Sequence, residues 1–160
     1  MRADPSPKRT GSDNAAEDAW YVAGLRFACT HCGGCCSGAP GYVWVTQDEI
    51  DRIAAFLGRE GQGLSRRHVR QVGIRYSLTE DKKAGACCFL ETRDGKHTCR
   101  IYPVRPVQCR TWPFWETNLC SPDGWNLAAL QCPGINRGRH HDFGRIERRR
   151  QARRLEDLLP

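Results

Sequence analysis

Four cysteines stand within one short run, Cys29–Cys36, and form the strongest chemical signal in the chain. Cys29, Cys32 and Cys35 are separated by two residues each. This spacing lets two thiolates reach one metal ion while nearby backbone N–H groups point at the sulfurs. The pair Gly33 and Gly34 permits the tight turns that such a loop needs. The run therefore predicts a metal site.

The spacing alone leaves the identity of the metal open. Three cysteines at successive two-residue separations match the opening of the run that holds iron–sulfur clusters in bacterial ferredoxins. That run continues with three residues and a Cys-Pro pair, whereas here Cys36 follows at once and Cys132-Pro133 lies far downstream. Neighbouring cysteines are also expected to point in different directions, so that Cys35 and Cys36 would serve two separate centres.

Six further cysteines lie downstream, where no single spacing is diagnostic. Together with the first run they supply enough thiolates for two four-ligand sites. Buried apolar cysteines or a disulfide framework are weaker interpretations, because the first run is dense and the chain shows no secretory signal. The six are Cys87, Cys88, Cys99, Cys109, Cys120 and Cys132.

The composition is that of one small domain with a modest core. The chain has 160 residues, 39% of them apolar, and a mean hydropathy of -0.63. Bound metal would help such a chain to order its loops. The first twenty residues lack the apolar stretch of a signal peptide, and no apolar run reaches membrane-spanning length. We expect a cytoplasmic protein with reduced thiols and no membrane partner.

Positive charge is concentrated towards the end of the chain. The formal net charge is +7 at pH 7, the pI is about 9.0, and residues 137–154 carry most of the excess. A stretch such as Arg145–Arg154 is most often a solvated helix face, so nucleic-acid contact through it is not the favoured interpretation. Contact with a protein partner is left open.

Two helices have clear boundaries in the sequence. Thr46 and Glu49 form a capping box, and apolar residues at helical spacing continue to a stop at Gly58. Asp142 is the expected cap of a last helix that runs to about Leu159 and carries arginines on its outer faces.

The remaining predicted elements are short. We expect a helix over Ser65–Val72, strands over Tyr42–Val45 and Ile74–Leu78, and a helical turn over Trp125–Gln131. Residues 85–110 are predicted to be a hairpin or loop followed by a tight, irregular segment, because two prolines there disfavour regular structure.

These elements predict a small, irregular α+β fold, with few short helices and strands organised around a cysteine-bound metal centre. Residues 1–19 are polar and are predicted to form a disordered tail. Residues 20–139 are the predicted cysteine-cluster metal-binding domain, and residues 140–160 the predicted basic C-terminal helix.

Further motifs follow the first cysteine run in a particular order. They are Phe27-x-Cys29-x2-Cys32-Gly33-x-Cys35-Cys36, Gly41-x-Val43 leading into Asp48-Glu49-Ile50, Cys87-x-Phe89-Leu90, Cys99-Arg100-Ile101-Tyr102, Arg105-Pro106-x2-Cys109-Arg110, Pro113-Phe114 and Cys132-Pro133-Gly134-Ile135. Taken together, residues 27–138 resemble the YkgJ-type cysteine-cluster family, a family of zinc- or iron-chelating domains.

The resemblance implies metal binding, with zinc or iron as the cofactor, and it selects eight of the ten cysteines. Cys88 occupies a position that the family does not reserve for cysteine, and Cys120 falls in a variable stretch. The family carries no well-defined reaction. The implied ligands are Cys29, Cys32, Cys35, Cys36, Cys87, Cys99, Cys109 and Cys132.

Histidines near the cysteines are weaker candidates for metal ligands than the thiolates. His31 and His97 are expected to be exposed loop residues, and the pair His140-His141 is expected to lie on a solvated surface.

Two arginines and three aromatic residues also accompany the cysteines. Arg105 and Arg110 either donate to sulfurs or to a substrate carboxylate, or form a buried ion pair with Glu49 or Asp48. The aromatic side chains are expected in the core or as an apolar cover over the metal; they are Trp112, Phe114 and Trp115.

Three functions are compatible with these observations. The favoured one is a metal-binding protein that sequesters or delivers zinc or iron, or uses the metal to fold. The second is an iron–sulfur protein that transfers electrons or forms part of an oxidoreductase or modification enzyme. The third is a zinc module that contacts nucleic acid through the basic helix. Whether the chain is an enzyme stays open, since no nucleophile–base pair or pair of catalytic carboxylates stands out.

Overall fold

The computed structural model describes residues 18–37, 41–59, 61, 63–81 and 85–158, with side chains described up to residue 153. All ten cysteines lie within these ranges, and all are free thiols. The predicted tail, residues 1–19, lies outside the described residues except for Asp18 and Ala19. Ala19 packs against the hydrophobic core.

The strands are short, and in the described part of the chain they pair only with antiparallel neighbours. The first pairs with the seventh, the fifth with the sixth, and the fourth lies between the second and the third. In chain order they are β1 Leu25–Phe27, β2 Val43–Val45, β3 Val69–Val72, β4 Arg75–Leu78, β5 Leu90–Arg93, β6 Lys96–Cys99 and β7 Ile135–His141.

Helices and single 3-10 turns connect these strands. The helices are α1 Gln47–Phe56, α2 Val107–Thr111, α3 Glu116–Leu119, α4 Pro122–Gln131 and α5 Phe143–Leu158, and the 3-10 turns are Gly34–Cys36 and Tyr102–Val104. The predicted α+β class with few short, irregular elements is confirmed. Within the described ranges, no helix is long and apolar enough to cross a membrane.

Helix α1 begins with the capping box that the sequence predicts. The Thr46 hydroxyl accepts from the Glu49 backbone N–H at 3.3 Å, and the Glu49 carboxylate accepts from the Thr46 N–H at 3.3 Å. The Glu49 side chain is almost completely buried. Its second carboxylate oxygen accepts from the Val107 backbone N–H at 2.6 Å, so this carboxylate joins the start of α1 to the start of α2.

The predicted helix over Ser65–Val72 is wrong. Residues 66–68 form a turn, and Val69–Val72 is strand β3, which pairs with β4 from Val69 opposite Leu78 to Val72 opposite Arg75. A two-residue turn at Gly73-Ile74 closes the hairpin. The β-branched valines suit a strand, and the pairing with β4 overrides the weak helical pattern.

Two hydrophobic clusters form the core. The first surrounds Phe114 and Trp125 and includes Phe27, Ile135 and Ile146. The second lies between helix α1 and the strands, and consists of Val45, Ile50, Ile53, Leu78, Phe89 and Ile101. Each cluster is small, as the modest apolar fraction of the chain leads one to expect.

Helix α5 docks on the first cluster through the fully buried Ile146. Asp142 caps it, since its carboxylate accepts from the Arg145 backbone N–H at 2.8 Å. The two preceding histidines lie in strand β7 rather than in the helix. His140 is exposed as expected, whereas His141 is only 3% exposed, because its pairing with Leu25 turns it under the first cluster.

Replacing Glu49 should uncouple α1 from α2. We expect Glu49→Ala to lower the free energy of unfolding by about 2–3 kcal/mol, because it removes the acceptor of the Val107 N–H and half of the capping box. Urea denaturation measures this loss. Asp48→Ala is the matched control, since it removes the same charge from the same helical turn at an exposed position. Equal losses in both variants would contradict the assigned role.

Candidate metal centre

One cavity between the two hydrophobic clusters is lined by all eight cysteines that the sequence resemblance selects. Phe27 and Trp112 line it from the first cluster, and Leu78 and Ile101 from the second. Its volume is about 60 Å³, several times the ~10–15 Å³ that one water molecule requires. The cysteines are Cys29, Cys32, Cys35, Cys36, Cys87, Cys99, Cys109 and Cys132.

The cysteines reach this cavity from separate elements. Cys29 follows strand β1, and Cys35 and Cys36 form most of the first 3-10 turn. Cys99 ends strand β6, and Cys109 lies in the middle of helix α2. Cys87 precedes strand β5, and Cys132 directly follows helix α4.

Backbone hydrogen bonds hold these elements together. The Cys87 N–H donates to the Cys36 carbonyl at 2.7 Å, which ties the first cysteine run to the second cluster. The Ala28 N–H donates to the Gly134 carbonyl at 3.1 Å and brings Cys29 towards the segment that carries Cys132. These bonds use main-chain groups, so the thiols themselves stay available to a ligand.

The two glycines of the first run allow close packing on both sides. Gly33 has a φ of +76°, and a Cβ there would lie 2.9 Å from the His97 ring. A Cβ on Gly34 would lie 2.6 Å from the Gln131 carbonyl oxygen. The glycines therefore let the loop approach strand β6 and the end of helix α4 at once, which side chains at these positions would prevent.

Cys35 and Cys36 face the same cavity, contrary to expectation. Their sulfurs lie 3.7 Å apart. Thiolates around one tetrahedral ion with metal–sulfur bonds of about 2.3 Å are separated by about 3.8 Å. The tight turn that begins at Gly33 rotates the two Cα–Cβ bonds towards each other, so this adjacent pair fits one metal ion.

The eight cysteines as a set do not lie as close together as Cys35 and Cys36 do. In the described ranges, no three His, Cys, Asp or Glu side chains are already arranged to hold a metal ion. The thiols surround the cavity rather than one point in it. Coordination of one metal ion by three or four of them therefore requires the sulfurs to move closer together.

The thiols differ in how readily they ionise. A hydrogen bond from Cys36 lowers the pKa of Cys35 to about 7, and the Arg105 guanidinium acts in the same direction. Burial raises the pKa of Cys109 to about 12 and also raises that of Cys99. Without metal, one thiolate thus forms easily near neutral pH, while buried neighbours keep their protons.

Two histidines and a tyrosine line the cavity with the cysteines. His97 was expected in an exposed loop, but it lies half-buried in strand β6. Its position two residues before Cys99 is the signal that could have found it, since alternate strand residues face the same side. His31 is exposed as expected, and its ring centre lies 4.6 Å from that of Tyr102.

The two arginines of the Arg105–Arg110 segment separate into different roles. Arg110 lies 3.9 Å from the Glu49 carboxylate, as the ion-pair alternative predicts. Arg105 instead lines the cavity, with its guanidinium carbon 3.5 Å from the centre of the Tyr102 ring. Its Nε is buried and has no hydrogen-bond partner.

The aromatic residues also divide. Phe114 is fully buried in the first cluster, as expected for core. Trp112 forms part of the cavity wall and directs its indole N–H at the Cys132 sulfur, 3.5 Å away. Trp115 donates to the Gln108 carbonyl and the Thr111 hydroxyl, each at 3.2 Å, and so supports helix α2.

The two cysteines that the resemblance sets aside point elsewhere. The Cys88 sulfur lies 3.6 Å from the His68 carbonyl oxygen. Cys120 is exposed, and its sulfur lies 3.1 Å from the Thr117 carbonyl oxygen. Neither contributes to the wall of the cysteine cavity.

Comparison with known proteins supports the binding of zinc or iron and does not choose between the two metals. A family model named CxxCxxCC, described as "Putative zinc- or iron-chelating domain", matches residues 28–133. An uncharacterized protein of Methanocaldococcus jannaschii is 34% identical over 95 residues, which cover 59% of this chain and 48% of the relative. The chain thus matches about half the length of that relative. No solved structure matches.

A side chain at position 34 should push the first cysteine run away from helix α4. We expect Gly34→Ala to lower the free energy of unfolding by about 1–3 kcal/mol, because a Cβ would overlap the Gln131 carbonyl oxygen. Thermal and urea unfolding measure the effect. Gly144→Ala is the control, since a Cβ there meets only ordinary contacts at 3.5 Å within helix α5. A loss no larger than in this control would rule out the steric account.

Proposed function

Because the chain belongs to the CxxCxxCC family, we propose that the eight cysteines around the cavity bind zinc or iron, and that holding this metal is the function of the domain. The convergence of these eight thiols on one cavity carries the proposal. They come from segments between residues 29 and 132, and the two remaining cysteines stay outside. Hydrophobic packing alone does not explain why these eight cysteines, and not the other two, line the cavity.

The donor set limits which metals fit. Thiolates favour zinc, iron and iron–sulfur clusters over magnesium or calcium, which prefer oxygen ligands. Eight thiolates are enough for two four-coordinate ions or for a polynuclear cluster. In the part of the chain that the structure describes, no Asp or Glu side chain lines the cavity, so carboxylate ligands are not expected there.

Positive charge at the site fits a thiolate-bound metal. Two divalent ions held by eight thiolates carry a net charge of about -4. Arg105 faces the cysteines and has no carboxylate partner among the described residues, so it is placed to offset part of that charge. The indole N–H of Trp112 supports the Cys132 thiolate in the same way.

Metal analysis of the purified protein distinguishes the forms of the site. We favour zinc or iron ions bound directly by the thiolates; a brown protein with charge-transfer absorption and acid-labile sulfide after anaerobic purification would replace them by an iron–sulfur cluster. Colourless protein with stoichiometric zinc would exclude the cluster. A metal-free protein that folds normally and takes up neither zinc nor iron would overturn the proposed function itself. Nucleic-acid contact through helix α5 and a cytoplasmic location stay predictions.

Serine substitutions test the ligand set. Cys109→Ser removes a thiol from the cavity and should reduce bound metal by at least half, because serine is a poor ligand for zinc and iron. Cys120→Ser makes the same chemical change outside the cavity and should leave the metal content unchanged. Elemental analysis of both variants measures the outcome. Equal metal content in the two would exclude Cys109 as a ligand.

Metal affinity should rise with pH. Burial raises the pKa of Cys109 to about 12, so this thiol is protonated in the metal-free protein and must lose its proton when it coordinates. Protons therefore compete with the metal, and raising the pH weakens that competition. We expect apparent affinity to increase by up to about tenfold per pH unit for each proton released. Chelator competition between pH 6 and 9 measures this; an unchanged affinity would contradict thiol coordination.

A further inference from the structure

A second pocket adjoins the cysteine cavity. It has a volume of about 330 Å³, within the range of small-molecule sites. It shares Cys29, Cys35 and Cys109 with the cysteine cavity, so the two spaces are separated only by these thiols and their neighbours. Strand β7 and helix α5 supply its outer wall through Arg139 and Arg149.

The charge of this second pocket is positive. Arg105, Arg110, Arg139 and Arg149 line it, and no Asp or Glu of the described ranges does. Arg110 shares the Glu49 carboxylate with Arg52. Among the described residues, the other three have no carboxylate within 4.0 Å. Burial lowers the pKa of Arg149, and the nearby Arg139, Arg145 and Arg105 lower it further, so these cations repel one another without compensation.

Two buried nitrogen atoms in the same wall have no hydrogen-bond partner among the described residues. One is the Nε of Arg105 and the other the Nδ1 of His141. His141 is only 3% exposed, and because its Nε2–H donates to the Phe27 carbonyl at 3.1 Å, its Nδ1 accepts hydrogen bonds, whereas the Arg105 Nε–H donates them. Buried polar atoms are nearly always satisfied in folded proteins, so unpaired ones that line a pocket indicate a missing partner.

We propose that this arginine pocket binds a small molecule through its carboxylate or phosphate group, next to the cysteine-bound metal. Guanidinium groups pair with both oxyanions through two parallel N–H···O bonds. An oxyanion there would offset the repulsion among Arg105, Arg139 and Arg149 and give the buried Arg105 Nε–H an acceptor. The position beside the metal rests on the proposed function, whereas the binding of the oxyanion does not.

Charge balance of the metal centre does not account for all of these arginines. Arg105 faces both spaces, but Arg139 and Arg149 line the arginine pocket and not the cysteine cavity. A solvated basic face does not account for Arg149, because it is half-buried, with its guanidinium carbon 5.4 Å from the centre of the Phe114 ring. Arg139 is exposed but lines the pocket, whereas the exposed Arg137 and Arg148 of the same two elements do not.

The location gives the ligand a defined relation to the metal. An oxyanion held by Arg139 and Arg149 would extend the rest of a small molecule towards Cys29, Cys35 and Cys109, which form the shared wall. The arrangement suits a molecule whose anionic end is anchored while another group approaches the metal. Recognition of nucleic acid would instead use the exposed arginines outside the pocket.

Binding of two simple probes to the purified, metal-containing protein tests the proposal. Inorganic phosphate and succinate are titrated by isothermal calorimetry in a buffer free of other oxyanions. The Arg139→Gln/Arg149→Gln double variant is compared with the control Arg137→Gln/Arg148→Gln, which removes the same charge from the same strand and helix. We expect saturable binding of at least one probe, weakened about tenfold or more in the first variant and less than about twofold in the second.

The possible results of the titrations lead to different conclusions about the arginine pocket. Tighter binding of phosphate or of succinate identifies the oxyanion class. No binding of either probe, or equal weakening in both double variants, overturns the pocket. Arg139→Gln alone, at an exposed strand position, provides the same comparison with Arg137→Gln if the double variant does not fold. Metal analysis of the same samples separates the two proposals: normal metal without oxyanion binding rejects only this one, and oxyanion binding without any metal uptake rejects only the proposed function.

Discussion

A partly buried cavity lined by eight thiols is the feature around which the molecule is organised. Thiols in such surroundings resist ionisation together, as the raised pKa values of Cys99 and Cys109 illustrate. A metal ion reverses this preference, because it stabilises thiolates in the positions where burial disfavours them. The cavity is therefore poorly suited to free thiolates and well suited to thiolates that share a cation.

The backbone, rather than the thiols, maintains this cavity. The hydrogen bond from Cys87 to the Cys36 carbonyl joins the first cysteine run to the second cluster, and that from Ala28 to the Gly134 carbonyl joins the start of this run to the segment after Cys132. Glu49 acts at a third point, since its buried carboxylate fixes the first turn of helix α2, in which Cys109 lies. Because each cluster is small, these polar links are needed to hold the site before metal adds its own binding energy.

The basic C-terminal helix also forms part of the surroundings of the cysteines. Helix α5 is anchored by Ile146, and its arginines make specific contacts: Arg150 pairs with Glu147 at 2.6 Å, and the guanidinium of Arg153 lies 4.2 Å from the centre of the Trp115 ring. The charge that composition alone describes as a solvated face is thus partly turned inward. Arg149 is the clearest case, since it connects the helix to the space beside the cysteines.

Local chemistry made some features readable from the sequence. The capping box at Thr46 and Glu49, the Asp142 cap and the α+β class depend on residues close together in the chain, and the run Cys29–Cys36 together with the motifs that follow it indicates the family. The tertiary structure decided the features that depend on contacts between residues far apart in the sequence. The valines of β3 lie in a strand because β3 pairs with β4, and the turn at Gly33 places the sulfurs of Cys35 and Cys36 close together. The burial of His141 and the meeting of Arg139 with Arg149 have the same origin, because positions far apart in sequence become neighbours only when the strands and helices pack.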